Sequence, residues 1–338
     1  MKKHLLVAAA ALLLWSCGSK QAVSASVAAR NAEVIKESEL REMLTYIASD
    51  EMQGRETGSE GQKAAGRYLI NQYKKAGIGF PPEQSGYYQA VPAAYMNKKS
   101  REVLNDSENI WAFIKGDENP DEVVVLSAHY DHVGTENGTV YNGADDDGSG
   151  TVALVEIAKA IKKAQKNGLK LKRSLLILHV TGEEHGLHGS RYYSENPAFP
   201  LLNTVANVNI DMIGRRDVEH KDNGNYVYVI GSDFLSTELD KICKSANEKS
   251  VNIFLDYKYN NKTDPNRFYY RSDHYNFAKN GIPSVFLFSG VHEDYHKPTD
   301  DVEKIEFDLL TKRTELAYNI VLELLTKDKR IVVDKPID

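Results

Sequence analysis

The chain has 338 residues, of which 41% are hydrophobic and 27% are charged. This composition is typical of a globular protein with a sizeable core. The net charge of -6 argues against nucleic acid as a partner, because binding to phosphates requires clustered lysine and arginine. Beyond the N-terminal leader, no run of residues is long and apolar enough to span a membrane.

The N-terminus has the pattern of an export signal. A basic pair, Lys2-Lys3, precedes an apolar run over 5–14, which has the length of a signal-peptide core and is too short for a spanning helix. The following Leu-Trp-Ser-Cys17 resembles a bacterial lipobox, in which the cysteine becomes the lipidated first residue. We therefore predict a lipoprotein signal peptide over 1–16, a tether over 17–32, and an exported protein, anchored through a lipid on Cys17, that faces the periplasm or the cell surface. A plain secretory signal cleaved nearby is the alternative.

The cysteine content predicts no disulfide. The chain contains only Cys17 and Cys243. If Cys17 carries a lipid, Cys243 has no partner. Cys243 lies in a helical pattern, where we expect it in the core.

Apolar periodicity divides the chain into alternating helices and strands. Ser59 followed by Gln62 predicts a capping box, and Gly231-Ser-Asp233 predicts a helix cap after a strand. A turn is expected over 117–121. In chain order the predicted elements are helices over 33–49 and 59–75, strands over 87–92, 109–116 and 123–126, a helix after Gly150, a strand over 175–180, a helix over 189–196, strands over 205–210 and 226–230, a helix over 235–248, a strand over 284–288 and a helix over 307–326.

This order of elements favours an α/β fold. We predict one domain over 33–330, built on a twisted, mixed and mostly parallel sheet with helices on both faces, followed by a tail over 331–338. In such sheets ligands bind at the carboxyl ends of the strands. Most of the candidate site residues lie there.

Side chains that bind metals follow several of the predicted buried strands. His129, Glu183-Glu184 and Asp211 each come after one, Asp145-Asp-Asp147 lies in a glycine-rich turn at a helix start, and His296 lies on a loop after the last strand. Zinc binds histidine nitrogen and carboxylate oxygen, and two zinc ions about 3.5–4 Å apart can share a bridging carboxylate.

Each feature alone has an ordinary explanation. The pair His129 and Asp131 could be structural, an aspartate triplet can cap a helix, and Glu-Glu is usually solvated. Five such features together are harder to explain without a cation, because clustered carboxylates repel one another. Three carboxylates and one hydroxide balance the charge of two zinc ions. We therefore predict two Zn²⁺ per chain.

The motifs resemble those of the exported dizinc aminopeptidase family, whose relatives include glutamate carboxypeptidase and the transferrin-receptor ectodomain. The resemblance runs from the Asp50 loop to about Thr326 and implies a zinc-peptidase-like three-layer sandwich. Its most specific motifs are His129-Tyr-Asp-His132, Gly143-Ala-Asp-Asp-Asp-Gly-Ser-Gly150, Gly182-Glu-Glu184, Asn209-Ile-Asp-Met-Ile-Gly214 and Tyr295-His-Lys-Pro298.

The resemblance implies a metal-binding role for five residues. His129 and Asp211 would bind one zinc ion, and Glu184 and His296 the other. Asp146 would bridge the two ions. The region over 33–330 would then be a dizinc peptidase domain.

The resemblance also implies the catalytic residues and the reaction. Glu183 would be the general base, Asp131 would orient His129, and the Asp146–Asp147 peptide would be cis. A hydroxide that bridges the two zinc ions would hydrolyse the N-terminal peptide bond of a peptide with a free N-terminus. We expect no nucleic acid partner and contact with the membrane only through the lipid anchor; the oligomeric state is left open.

Three other functions fit parts of the sequence. A glutaminyl cyclase shares the Asp and Glu motifs but binds one zinc ion. A carboxypeptidase-like specificity requires a basic pocket, for which Arg271 is the candidate. A non-catalytic binding ectodomain would have lost ligands or the base, and this chain retains them all.

The remaining polar residues near the motifs are given structural interpretations. His132, His185 and His188 are expected beside the site or on the surface. His179, inside a strand, is expected to be a core residue with a hydrogen-bond partner. His292 could line the pocket, and Asp273 is expected to be structural. These assignments leave the metal ligands to the five residues named above.

Overall fold

The computed structural model describes residues 35–337. The predicted signal peptide over 1–16 and tether over 17–32 lie outside the described residues. The α-helices, numbered here in chain order, are α1 (Glu37–Ile47), α2 (Glu60–Ala76), α3 (Ala93–Met96), α4 (Gly150–Lys166), α5 (His188–Glu195), α6 (Thr237–Glu248), α7 (His274–Ala278) and α8 (Phe307–Thr326). The strands are β1 (Tyr88–Val91), β2 (Ser107–Ile114), β3 (Asn119–His129), β4 (Thr135–Glu136), β5 (Thr139–Val140), β6 (Arg173–Val180), β7 (Thr204–Ile210), β8 (Tyr226–Ile230), β9 (Phe254–Asp256) and β10 (Ser284–Phe288).

Eight of these strands form one sheet in the order β1-β2-β6-β3-β7-β10-β8-β9. The four central strands, β6, β3, β7 and β10, run parallel to one another. Strands β2 and β8 flank them in the antiparallel sense. The mixed, mostly parallel sheet is therefore confirmed. A small hairpin of β4 and β5 was not predicted.

Helices cover both faces of the sheet, as predicted. Successive residues of a strand point to opposite faces, so Val124 and Leu126 of β3 pack with the large cluster that includes side chains of α1, α2, α4, α6 and α8. Val123 and Val125 point the other way and join the cluster that contains Tyr193 of α5. Both faces of β3 are thus buried, which explains its continuous apolar run.

The capping signal before α2 has a second role in the fold. The Ser59 hydroxyl accepts a hydrogen bond from the Gln62 backbone N–H at 3.2 Å. The Gln62 side-chain oxygen accepts a hydrogen bond from the Gly58 N–H at 2.6 Å. In a standard capping box this bond would come from the N–H of the N-cap residue, Ser59, which is one residue later. The Gln62 amide also donates to Thr181, directly after β6, at 2.7 Å. This buried contact holds the start of α2 against the carboxyl end of the sheet.

Several predicted boundaries were wrong. The stretch Gly231-Ser-Asp233 does not cap a helix, because α6 begins at Thr237 and Ser236 accepts from the Leu239 N–H at 3.3 Å instead. The predicted turn over 117–121 overlaps the start of β3, which begins with an irregular register. Helix α1 begins at Glu37 because the Lys36 backbone is extended.

Other expectations agree with the structure. The strands over 226–230 and 284–288 and the helix over 307–326 have the predicted bounds. Cys243 is fully buried in the core. Within the described part of the chain, no helix combines the length and apolarity needed to cross a membrane.

Candidate metal centre

The predicted metal ligands lie at one edge of the sheet. His129 is the last residue of β3 and Asp211 directly follows β7. Glu184 comes shortly after β6, and His296 lies on the loop after β10. The carboxyl ends of parallel strands meet at one edge, and here they bring together residues that are far apart in sequence. We call His129, Asp146, Glu184, Asp211 and His296 the donor cluster.

Asp146 lies between two groups of donors. Its Oδ1 is 3.2 Å from His129 Nε2, which is itself 3.7 Å from Asp211 Oδ1. Its Oδ2 is 3.1 Å from His296 Nε2, which is 3.0 Å from Glu184 Oε2. Each oxygen of one carboxylate therefore faces a separate pair of one histidine and one acid. The structure brings all five predicted ligands together, in the pairing that the family resemblance implied.

The chemistry of the donor cluster fits a divalent metal ion. Ligand atoms of His129, Asp146 and Glu184 lie within 4.8 Å of one another, as do those of a second group, His129, Asp147 and Asp211. Among residues 35–337, Asp146 Oδ2 is buried and has no hydrogen-bond donor, although His296 Nε2 is close. Buried carboxylates without donors are costly. A cation is the partner that would satisfy these lone pairs.

Asp147 differs from Asp146 in its hydrogen bonds. Asp147 Oδ1 accepts from the Gly150 N–H at 2.9 Å and from the Met212 N–H at 3.1 Å. It thereby joins the start of α4 to the chain after β7. Because this oxygen is already used by the backbone, Asp146 is the better candidate for binding metal through both oxygens. The peptide between the two aspartates is cis, as the resemblance implied.

The turn that carries Asp146 is held by buried charged groups. The Asp300 carboxylate accepts from the backbone N–H groups of Asp145 and Asp146, each at 3.1 Å. Arg55 is fully buried and donates to the carbonyl of Gly143 at 2.9 Å, as well as to those of Ile47, Tyr130 and Asn142. Sequence reasoning did not single out Arg55. Its position in the 50–58 loop that carries the resemblance was the available signal.

Asp131 contacts His129 in a way that differs from the expectation. The His129 Nδ1 atom lies 3.1 Å from the backbone oxygen of Asp131 and 3.8 Å from its carboxylate. The carboxylate instead accepts from Thr57 Oγ1 at 2.8 Å and from the Glu183 N–H at 3.3 Å. Asp131 thus fixes the ring of His129 through the main chain and the loop of Glu183 through the side chain.

The surroundings of Glu183 raise its pKa. Burial raises the pKa of this carboxyl well above its ordinary value, and the negative charges of Glu184 and Asp211 add to the effect, although His129 opposes it. Glu183 lines two adjoining cavities. A carboxylate with a raised pKa at the wall of a cavity is suited to accept and return a proton.

In the donor cluster, the pKa values of Glu184 and His296 are shifted towards the charged forms, in contrast to that of Glu183. Burial raises the pKa of Glu184, but hydrogen bonds with His132 and His296 outweigh burial and lower it to about 2. Burial lowers the pKa of His296, but Asp146 and Glu184 outweigh it and raise it to about 10. Without a metal, the carboxylates are therefore stabilised by protonated histidine. A metal ion would take the place of those protons.

Several residues outside the predicted set touch the donor cluster. The Ser272 hydroxyl donates to Asp211 Oδ2 at 2.7 Å. His132 is buried, with Nδ1 2.9 Å from Glu184 Oε1, so it lies beside the site and not on the surface. Tyr295 stacks on His296 and lines both cavities. Tyr295 belongs to the quoted motif Tyr295-His-Lys-Pro298 and Ser272 lies beside Arg271, but nothing in the sequence indicated these contacts.

The other histidines and Asp273 lie at or beyond the margin of the cluster. His292 is buried, with Nε2 3.3 Å from Asp145 Oδ2. His188 is buried as well and His185 is partly buried. Asp273 is fully buried and accepts a hydrogen bond from Ser190, which fits a structural residue. None of these four belongs to the two groups of metal-binding type found in residues 35–337.

A small cavity with a polar end and an apolar wall adjoins the donor cluster. Asp146, Glu183 and Asp211 form its polar end. Its remaining wall is formed mainly by apolar and aromatic side chains, those of Met212, Phe268, Phe286, Phe288 and Val291. Arg271 and Tyr295 lie between this cavity and a larger cleft of about 550 Å³. An apolar side chain of a ligand would fit the small cavity.

Comparison with solved structures shows the same fold. A zinc aminopeptidase from Bacillus subtilis is 16% identical and matches with a TM-score of 0.64 over 89% of this chain and 98% of its own. A glutaminyl cyclase from Porphyromonas gingivalis is 18% identical and matches with a TM-score of 0.63 over 85% of this chain and 97% of its own. At these identities the likeness establishes the fold alone.

Sequence comparison gives relatives that are longer than this chain. Aminopeptidase Y of Saccharomyces cerevisiae is 31% identical over 231 residues, which cover 64% of this chain and 38% of the yeast protein. Aminopeptidase YwaD of Bacillus subtilis is 25% identical over 286 residues, which cover 78% of this chain and 58% of the relative. The chain thus spans about half the length of these curated relatives.

The match to a family model covers a longer part of the chain than any single motif does. The model of peptidase family M28 matches residues 109–321. This range contains the whole donor cluster together with Asp131 and Glu183. The chain belongs to peptidase family M28.

Proposed function

We propose that this protein is a zinc-dependent aminopeptidase that holds two zinc ions per chain. The observation that carries the proposal is the position of Asp146. One of its oxygens faces His129 and Asp211, and the other faces His296 and Glu184. Two such half-sites that share one carboxylate match the arrangement of a dinuclear zinc hydrolase. The names of the relatives, two of them aminopeptidases, agree with this reaction.

The metal ions and Glu183 would divide the chemistry between them. Bound zinc lowers the pKa of a coordinated water and polarises the carbonyl group of the substrate. Glu183 takes a proton from the attacking water and returns it to the leaving amine, and its place at the wall of both cavities supports this role. Asp131 holds the Glu183 loop and the His129 ring in place.

Tyr295 is a candidate for stabilising the developing oxyanion. Its ring stacks on His296, and its hydroxyl accepts a hydrogen bond from Arg271 at 3.3 Å. The side chain lines both cavities at the point where they meet. A phenol at this position can donate to the substrate carbonyl oxygen as negative charge develops there.

The small cavity supports a preference for peptides with an apolar first residue. The α-ammonium group would lie at its acidic end, near Glu183 and Asp211, where opposite charge attracts it. The first side chain would then enter the part lined by Met212, Phe268 and Phe286. A peptide with a blocked N-terminus would lose the charge attraction and leave the acidic end without a partner.

A glutaminyl cyclase is the second candidate, because structures of that enzyme share the fold. Two observations favour the aminopeptidase. Asp146 offers one oxygen to each of two donor groups, and the two aminopeptidases, at 31% and 25% identity, are more similar in sequence to this chain than the cyclases at 18%. A purely binding role has less support, since the five residues of the donor cluster lie close together and Glu183 lines the adjoining cavities.

The test combines metal content with substrate choice. Zinc per chain is measured by mass spectrometry of the purified protein, and turnover is measured on aminoacyl peptides with free and with acetylated N-termini. We expect two zinc ions and cleavage of free N-termini only, fastest with leucine or phenylalanine first. One zinc ion with release of ammonia from peptides that begin with glutamine would replace the proposal by the cyclase.

We also propose that the protein is exported and anchored by a lipid on Cys17. The support is the basic pair, the apolar run and the lipobox-like Leu-Trp-Ser-Cys17 in the sequence. Partition of the protein into the detergent phase of a phase-separating detergent should require Cys17. If the Cys17→Ala variant partitions in the same way as the natural protein, the lipid anchor is excluded.

A further inference from the structure

The larger cleft next to the donor cluster is lined by both acidic and basic side chains. It has a volume of about 550 Å³ and begins at Glu183, Glu184 and His296. The same cleft is also lined by three cationic residues, Lys99, Arg191 and Lys279, which we call the cationic rim. Tyr270 and Tyr275 form part of the wall. A ligand that fills this cleft therefore meets Glu184 and His296 of the donor cluster and, on other parts of the wall, the cationic rim.

The cationic rim is assembled from three separate parts of the chain. Arg191 lies on α5, and Lys279 directly follows α7, which packs against α5. Lys99 lies in the turn after α3, where its N–H donates to the Met96 carbonyl at 3.1 Å. Lys99 and Lys279 are exposed and Arg191 is partly buried. The three charges are far apart in sequence, and the fold brings them to one cleft.

In the described part of the chain, the hydrogen bonds of the rim go to neutral groups. Arg191 Nε donates to the Tyr95 hydroxyl at 3.1 Å, and Lys279 Nζ donates to the side-chain oxygen of Asn276 at 2.6 Å. Within residues 35–337, no carboxylate lies within 4.0 Å of a charged nitrogen of the rim. Glu195, an acid at the end of α5, accepts from the Tyr95 hydroxyl at 2.8 Å.

The electrostatics of Lys279 agree with an excess of positive charge. Burial lowers the pKa of this lysine, and the charges of Arg191 and Lys99 lower it further, while Glu195 only partly opposes them. Clustered like charges destabilise a protein unless a counter-ion joins them. An anion on a ligand would relieve this repulsion.

We propose that the cationic rim binds a carboxylate on the leaving side of the peptide substrate. This inference rests on the proposed aminopeptidase function, which places the substrate ammonium group at the acidic end and directs the rest of the peptide along the cleft. The carboxylate can come from an acidic side chain after the cleaved bond or from the C-terminus of a short peptide. Arg271 is left out of the rim, because it is hydrogen-bonded to Tyr295 at the inner end of the cleft.

Four substrates separate the two sources of the carboxylate. Leu-Gly and its amide differ only in the terminal carboxylate, and Leu-Glu-amide and Leu-Gln-amide differ only in the side-chain charge. Release of leucine by the zinc-loaded enzyme gives kcat/KM for each. We expect the charged member of at least one pair to be favoured by about five- to tenfold, a modest ratio because exposed ion pairs are individually weak. The pair that shows the preference identifies the source.

A double variant tests whether the rim causes the preference. In Lys99→Gln/Lys279→Gln the ratio within the favoured pair should fall toward one. Lys241→Gln/Lys249→Gln is the matched control, because both of these exposed lysines lie at α6 and neither lines the cleft. A ratio of one in the natural enzyme for both pairs, or an unchanged ratio in the rim variant, would overturn the inference.

Binding to an inactive variant separates this inference from the proposed function. Calorimetry with zinc-loaded Glu183→Gln measures the affinity for Leu-Gly, Leu-Glu-amide and their neutral partners without turnover. If no peptide is cleaved by the natural enzyme, the aminopeptidase proposal fails, and the affinity ratios still decide whether the rim binds carboxylate. Equal affinities for charged and neutral partners would reject the rim whatever the turnover.

Discussion

His129 and His179 lie on the neighbouring strands β3 and β6, offset by one residue pair. Their surroundings nevertheless shift their pKa values in opposite directions. Ala128 pairs with His179 and His129 pairs with Val180, and both histidines are buried. His179 Nε2 lies 2.6 Å from the hydroxyl of Tyr73, and burial lowers its pKa to about 3. Burial also lowers the pKa of His129, but Glu183, Asp146 and Asp211 outweigh burial and raise it well above the ordinary value.

The contrast shows how this protein separates stability from chemistry. Inside the sheet, the buried charge of Arg173 is paired: this side chain donates to Glu122 at 2.9 Å and to two carbonyl groups at the C-terminal end of α8. At the carboxyl edge, carboxylates converge on one another with too few donors. A buried charge with complete partners supports the fold, whereas converging lone pairs without donors indicate a site for a cation.

The largest effect is expected from a substitution that removes the proposed general base at the carboxyl edge of the sheet and leaves the fold intact. Glu183→Gln should lower kcat by about 10²–10⁴-fold, because a general base contributes on that order. Zinc content should stay at the natural level, since Glu183 does not belong to the donor cluster. The measurements are initial rates on a leucyl peptide and zinc analysis of the same sample. The control is Glu248→Gln, an exposed glutamate at the end of α6, and near-normal turnover of Glu183→Gln would reject the assignment.

The next test removes the carboxylate that both donor groups share. Asp146→Asn should reduce zinc from two ions to one or none, because an amide offers a weaker ligand and no negative charge to either ion. Saturating zinc stabilises a protein that binds it by about 4 kcal/mol at 1,000 times the dissociation constant. Thermal unfolding with zinc and with chelator should therefore differ for the natural protein and much less for the variant. Asp222→Asn, an exposed aspartate, should behave like the natural protein, and full zinc content in Asp146→Asn would exclude a shared ligand.

A smaller effect is expected from a residue that touches a ligand but not the metal. Ser272 donates to Asp211 Oδ2 at 2.7 Å and accepts from the Asn209 amide at 2.8 Å. Ser272→Ala should weaken zinc binding by about 10–100-fold, the usual cost of losing such a partner. Competition with a metal chelator of known affinity measures the change, and kcat at saturating zinc should remain close to normal. Unchanged zinc affinity would show that the hydrogen bond from Ser272 is not needed to orient Asp211 for zinc binding.

The edge residues were predictable from sequence to the extent that strands position them. His129 and Asp211 end or follow buried strands, whose apolar runs mark the carboxyl edge of the sheet, so their approximate place followed from periodicity. The resemblance to a known family then grouped Asp146, Glu184 and His296 with them. Their close approach in the structure follows from the parallel order of β6, β3, β7 and β10.

The residues that support the edge were not predictable in the same way. Arg55 bonds to carbonyl groups of three different segments, and such contacts depend on the path of loops, which has no periodic signal. The helix cap was misplaced for a related reason: Ser236 and the stretch 231–233 both have capping residues, and the turn that binds Gly231 to Asn260 decides between them. Local propensity gives candidates, and tertiary contacts select among them.

The last prediction concerns His179, the core member of the pair, and the effect is on stability alone. Its pKa is about 3 in the folded protein and about 6.5 when unfolded. Between these values the unfolded chain binds a proton that the folded protein does not, so stability is lost as the pH falls from 6.5 towards 3.

Between pH 7 and pH 5 this one group should cost the folded state about 2 kcal/mol, and His179→Gln should lack that loss. The measurement is the free energy of unfolding in urea at both pH values, with chelator present so that zinc release does not contribute. Tyr73→Phe is the matched control, because it removes the hydroxyl beside His179 but leaves the histidine to titrate, so it should keep the natural pH dependence. If all three proteins lose the same stability between pH 7 and pH 5, His179 has the same pKa in the folded and the unfolded protein. The two histidines would then differ in position but not in the direction of the shift that burial causes.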